Sequence, residues 1–201
     1  ERGSEPVPVF NPAKPDELVG HIVESTEATV DAALAAATDW GGCSGEERAR
    51  ILTNAAALYE SNFGELFAVL TREAGKTPLD AIAELREAVD FLRYYASQIK
   101  PAADLPPRGV VACISPWNFP LAIFTGQIAA ALAAGNGVLA KPAEPTSITA
   151  HIAVKLLHEA GIPADVLQLL PGKGSVVGAR LTSDERICGV CFTGSTATAQ
   201  V

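Results

Sequence analysis

The sequence predicts an α/β protein in which an N-terminal arm and a group of helices lead into a parallel sheet that is incomplete. Three observations predict it. From residue 110 onward, short apolar runs alternate with helical stretches at intervals of about 20–30 residues, the spacing of βαβ units. Before that point, apolar residues recur in the i, i+3, i+4, i+7 pattern of amphipathic helices. With 48% hydrophobic and 19% charged residues among 201, the chain is globular in composition and can bury a real core.

Taken in order, residues 1–24 read as an extended, Pro-punctuated arm, 25–100 as the helical part and 101–201 as the sheet. Val30, Ala33, Leu34 and Ala37 line a first helix. Ser44 and Glu47 form a capping box before a second, whose buried face holds Ile51, Leu52, Ala55, Leu58 and Tyr59. A third spans 63–74 and stops at Gly75. Thr77, with Pro78 in the first turn, starts the longest, with Ile82, Leu85, Val89, Leu92, Ala96 and Ile99 on its buried stripe. The three prolines of 101–108 mark a linker. Strands then fall at 110–114, 138–140, 166–170 and 187–192, with helices at 121–134 and 148–160 and a short one ending near 181.

Composition excludes some partners. A net charge of −8 opposes a nucleic-acid backbone. Residues 109–140 carry no charge, but Pro116, Pro120 and four glycines break the run, so it is no membrane span. Of the four cysteines, Cys188 and Cys191 alone have a suggestive spacing, and three apart on a strand they face opposite sides. They read as buried free thiols, which implies a reducing compartment, the cytoplasm. The chain has no Met, position 1 included, and reads as trimmed at both ends.

A doubly wound sheet binds its ligand at the carboxyl ends of its strands. That rule singles out four loops. Pro171-Gly-Lys-Gly-Ser-Val-Val-Gly178 misses the dinucleotide fingerprint by one place, and reads either as a turn or as a nucleotide contact. Thr193, Gly194, Ser195 and Thr196 follow a strand and would set N–H groups and hydroxyls at a helix start, as suits a pyrophosphate. Lys141 and Glu144 read as ribose ligands or as a surface ion pair. In Pro116-Trp-Asn-Phe-Pro120 two prolines stiffen a loop that displays Trp117 and Phe119, for packing or function, and an Asn amide able to donate to an oxyanion.

Together, and in this order, these loops resemble the aldehyde dehydrogenase superfamily, whose cofactor domain is Rossmann-like. Residues 73–77, Glu-Ala-Gly-Lys-Thr, also resemble its N-terminal part. Residues 115–127 and 88–95 are most similar to the branch that oxidises glutamate γ-semialdehyde, formed from pyrroline-5-carboxylate, typified by the dehydrogenase modules of bacterial proline utilisation A. The resemblance implies NAD as cofactor and a small aldehyde as substrate. It implies a homo-oligomer in the full-length protein, and in that branch a fused FAD-dependent proline dehydrogenase module.

By position, Asn118 matches the oxyanion-stabilising Asn, Lys141 and Glu144 the adenosine-ribose ligands, and Ser195 the pyrophosphate contact, with Thr193 and Gly194 beside it. Ile114, Ser115, Pro116 and Trp117 match the cofactor channel, and Gly174 and Gly178 the close approach to adenosine. Ala197 departs from the Glu that the family often has after Gly-Ser-Thr. The family's catalytic thiol and general-base Glu follow that motif, so the resemblance places them, with the catalytic domain, beyond Val201. None of Cys43, Cys113, Cys188 and Cys191 matches the nucleophile. The expectation is an inactive cofactor-binding portion with weak NAD affinity. The other reading is a non-catalytic nucleotide-binding or interaction domain, which the reading frame beyond Val201 separates from the first.

Overall fold

The computed structural model describes residues 5–99 and 105–200. Two antiparallel strands open it, β1 (Val7–Asn11) and β2 (Lys14–Ile22). The arm expected there is thus a hairpin, its strands joined at a tight turn in which the Asn11 side chain accepts from Ala13 N–H.

Four helices follow: α1 (Glu27–Ala36), α2 (Gly45–Ser61), α3 (Phe63–Arg72) and α4 (Pro78–Gln98). Their starts have chemical causes. Thr26, Ser44 and Thr77 each sit in extended backbone and accept, through the side-chain oxygen, an N–H of the first turn. Only half of the expected capping box forms, because the Glu47 carboxylate pairs with Arg50 instead of returning to Ser44. Ile82 corrects another expectation: it is 40% exposed, and the buried stripe of α4 runs through Ala81, Leu85, Ala88, Val89, Leu92 and Ala96. The linker expected at 101–108 lies partly outside the described residues.

The sheet is built from β3 (Val110–Ile114), β4 (Gly137–Lys141), β5 (Leu167–Leu169) and β6 (Ile187–Phe192), all parallel, in the order β5-β4-β3-β6. The connections are α5 (Ala122–Ala133), α6 (Ser147–Ala160) after a 3₁₀ turn at Glu144–Thr146, and a π turn at Gly174–Gly178 that runs into α7 (Ala179–Thr182). A last short helix, α8, covers Thr196–Ala199. The chain steps outward from β3 to β4 to β5, then returns to pair β6 on the other side of β3. That return makes the boundary between β3 and β6 the topological switch point.

Two apolar layers cover the sheet. The larger packs α2, α4, α5 and α6 on the face that presents Val111, Cys113, Val138 and Ala140; the smaller packs α1 and α7 on the face that presents Ala112 and Leu139. All five residues of β4 are buried, as expected of a strand covered on both faces. Helix α5 crosses α4 closely at Gly126, where an added Cβ would stand 2.8 Å from the Phe91 ring. Among the described residues no helix is long and apolar enough to cross a membrane.

Gly126→Val is expected to lower the unfolding free energy by about 1–3 kcal/mol through overpacking against Phe91. A urea melt of each form checks it, and an unchanged midpoint would count against the close crossing of α4 and α5.

Candidate functional site: the carboxyl ends of the parallel strands

Helix α5 has no charged residue of its own, yet both of its ends are held by charge. Glu84, 2% exposed on α4, accepts the N–H groups of Leu121 and Ala122 at its start. At its far end Arg48 of α2 donates to the Ala133 carbonyl and to the Cys43 carbonyl. Negative charge at the amino end and positive charge at the carboxyl end both match the helix dipole. Glu73, just beyond α3, does the same for α6, accepting from Ile148 N–H, Thr149 N–H and the Thr149 hydroxyl. Burial pushes the Glu73 carboxyl up, against the pull of these three donors.

These caps fix where the strand-end loops sit. Lys76 pairs with Glu84 at 2.8 Å and donates to the Asn118 carbonyl at 2.6 Å, with its ammonium 4.6 Å from the centre of the Phe119 ring. The loop of residues 115–120 is thereby tied to the start of α4, and the Asn118 side chain is exposed on it. Trp117 is 61% exposed and makes little packing among the described residues.

Of the residues singled out by sequence, Lys141, Glu144, Gly174 and Gly178 come together. Lys141 ends β4, is 5% exposed, and donates from Nζ to the Pro142 carbonyl. Gly178 lies along its stem, 3.8 Å from an added Cβ to Lys141 Cδ. The Glu144 carboxylate accepts from Gly174 N–H at 3.1 Å, which joins the loop after β4 to the loop after β5. Burial pushes the Lys141 ammonium down, opposed by the charges of Glu144 and of Glu24, a residue the sequence reading did not single out.

Ile114, Ser115 and Thr193 form a second group at the switch point. Ser115 N–H donates to the Lys141 carbonyl, and Thr193 N–H to the Ile114 carbonyl. Gln127 of α5 donates from its amide to the Ile114 carbonyl and to the Thr193 hydroxyl. Gly194 lies close under its neighbour, since an added Cβ would meet the far end of the Phe192 ring at 2.6 Å. Ser195 caps α8 with its own hydroxyl, accepting from Thr198 N–H. Pro116 is half-buried below Trp117 in sequence and starts the exposed part of the loop.

A model of the aldehyde dehydrogenase family matches residues 1–201. The chain belongs to that family. It is 58% identical over 196 residues to the bifunctional protein PutA of Klebsiella aerogenes, covering 94% of this chain and 15% of that protein. It is 40% identical over 205 residues to the 1-pyrroline-5-carboxylate dehydrogenase of Anoxybacillus flavithermus, covering 92% of this chain and 40% of that one. Among solved structures, 1-pyrroline-5-carboxylate dehydrogenase from Thermus with bound NAD superposes with a TM-score of 0.93 at 36% identity, over 98% of this chain and 42% of that one. Proline utilization A of Bradyrhizobium japonicum gives 0.86 at 47% identity, over 89% and 20%. The chain thus spans between about a seventh and two fifths of the length of these curated relatives.

Sequence reasoning missed Glu84, Lys76 and Gln127 as builders of this family member's site. Glu84 had a signal: an acidic residue among Ala81, Leu85 and Ala88 on an apolar stripe needs a buried partner. Glu73 and Lys76 stood in the motif of 73–77 without an assigned role. Gln127 carries no such mark. Cys188, expected to be buried, is exposed at a register shift where β6 meets β3.

Glu84→Ala is expected to cost about 3–5 kcal/mol, since it strands the Lys76 ammonium and uncaps α5. Lys76→Met combined with it should recover part of the loss, as chemical denaturation of the single and double variants would read; additive costs would disprove the coupling. Lys141 works in the opposite sense. Its folded pKa is lowered, so at neutral pH the fold bears a charge it disfavours, and stability is regained as pH rises through the lowered value toward 10.5. Lys141→Met should therefore stabilise the chain at pH 7 by on the order of 1 kcal/mol and flatten that alkaline rise.

Proposed function

We propose that this chain is the cofactor-binding portion of an NAD-dependent dehydrogenase that oxidises glutamate γ-semialdehyde, formed from pyrroline-5-carboxylate, to glutamate. Support comes from the kinship with proteins named for that activity and from the neighbour solved with NAD. The observation that carries the reading is the convergence of a buried Lys141 with Glu144 and two glycines at strand ends of a parallel sheet.

Those residues fit a dinucleotide. A lysine held 5% exposed costs the fold stability, which a ligand contact explains better than packing does. Gly174 has open space where a side chain would stand, so a ligand can approach its backbone. Lys141 and Glu144 would hold the adenosine ribose, Lys141 donating and Glu144 accepting from hydroxyls. The carboxylate disfavours a 2′-phosphate, so NAD is preferred to NADP. Gly178 would admit the adenosine half, while Thr193, Gly194 and Ser195 would face the pyrophosphate. Ile114, Ser115, Pro116 and Trp117 would line the channel toward the nicotinamide. NAD held there supplies the two-electron acceptor for aldehyde oxidation.

Asn118 would act on the substrate. Its loop is fixed by Lys76 and Glu84, so the amide is presented with little reorganisation to a carbonyl oxygen that turns negative. Attack on the aldehyde and hydrolysis of the acyl intermediate are assigned to a thiol and a carboxylate outside residues 1–201. The kinship with bifunctional PutA also supports a fused proline dehydrogenase module in the whole protein, and free thiols suit a reducing compartment such as the cytoplasm; a homo-oligomeric assembly belongs to the same proposal.

Calorimetric titration of the chain is expected to show saturable, weak binding of NAD, weaker binding of NADP, and loss of the NAD signal in Lys141→Met. NADH formation from glutamate γ-semialdehyde by the chain alone should be nil. A Lys141→Met variant that binds NAD as the parent does would defeat the proposed cradle.

A further inference from the structure

Cys113 and Cys191 are register partners on β3 and β6. Partners on adjacent parallel strands project to the same face of the sheet. Both do so here: Cys113 lies inside the larger apolar core and Cys191 is half-buried against it. Adjacent strands run about 4.8 Å apart, within the roughly 4.4–6.8 Å of Cα separation that a disulfide spans. The other cysteines are placed differently, Cys43 in the turn before α2 and Cys188 exposed where the register of β6 shifts.

We propose that Cys113 and Cys191 form a reactive dithiol, a thiol-modification site that closes to an intrachain disulfide by exchange with a small-molecule disulfide such as oxidised glutathione. The pair is asymmetric in the way such exchange requires. The neighbouring Cys113 thiol brings the Cys191 thiol down to about 6, whereas the same pairing and burial push Cys113 well up. Half-buried Cys191 is the sulfur that a disulfide from solvent can reach, and so the attacking one; Cys113, 1% exposed, is the resolving one.

The Cys191 thiolate attacks one sulfur of the small disulfide; an S–S bond forms to it as the old one breaks, and one small thiolate departs. Cys113 gives up its proton and attacks Cys191 Sγ, forming the intrachain bond and releasing the second small thiolate. Two protein thiols are oxidised, one small disulfide is reduced, and the two protons end on the two small thiols. The bond would staple β3 to β6 at the switch point, beside the Ile114 carbonyl and the Thr193 hydroxyl that Gln127 already bridges. None of this depends on the cofactor reading.

The test treats the native 201-residue chain with oxidised glutathione, blocks remaining thiols with an alkylating reagent, and maps the digest by mass spectrometry. A peptide linking Cys113 to Cys191 is expected, with Cys43 and Cys188 alkylated. Phenylarsine oxide, which needs two close thiols, should bind the reduced chain at equimolar ratio and Cys191→Ser not at all. In Cys113→Ala, alkylation of Cys191 at neutral pH should slow by roughly tenfold as its thiolate loses the neighbouring thiol. Absence of the linked peptide overturns the proposal whatever the variants do. So does a folded Cys113→Ala chain whose Cys191 reacts at the parent rate.

Discussion

Helices α5 and α6 both begin inside the protein, where their first N–H groups have no helical carbonyl to bond and little water to replace one. Glu84 and Glu73 answer that constraint, each reaching in from the helical half of the chain. Position and electrostatics are settled by one act. The carboxylate satisfies the amides, matches the helix dipole, and sets the height at which each strand-to-helix loop leaves the sheet. With Lys76, from the short connection between α3 and α4, bound to Glu84 and to the Asn118 carbonyl, the loop after β3 becomes part of a polar network anchored on α4.

That arrangement explains why the helical half is not an accessory to the sheet. Neither α5 nor α6 uses its own N-cap side chain. The missing caps are supplied by residues 73 and 84, and Arg48 completes the other end of α5. A parallel sheet with its crossover helices would therefore carry unsatisfied amides if α2, α3 and α4 were absent. The two halves of the chain are bound by a few charged contacts embedded in an extensive apolar interface.

Much of the fold was legible because it is written in local chemistry. Thr77 and Pro78 start α4, and the apolar runs at 110–114 and 187–192 are strands; Gly135 and Gly161 end α5 and α6 in positive φ. The candidate site was legible only as four strand-end loops. That Lys141, Glu144, Gly174 and Gly178 meet follows from sheet order, in which β5 and β4 are neighbours, and spacing alone cannot show it. The supporting residues were harder still, since the role of Glu84 depends on a helix start 37 positions away. Ile82 failed as a core residue for a related reason: periodicity gives the direction of a stripe, but the width of the covered face is decided by which helices pack there.

The return of β6 to the side of β3 has a kinetic meaning. Val110 pairs locally with Gly137 but also with Ile187, so the second pairing must close a far longer loop of chain than the first. The β3–β4–β5 units and their helices can assemble from near neighbours, whereas the seam at the switch point waits for β6, after both crossover helices, to be in place. The loops on either side of that seam carry Asn118 and Ser195. These two loops would accordingly take their final places after the bulk of the secondary structure, as a late event in the search for the native state.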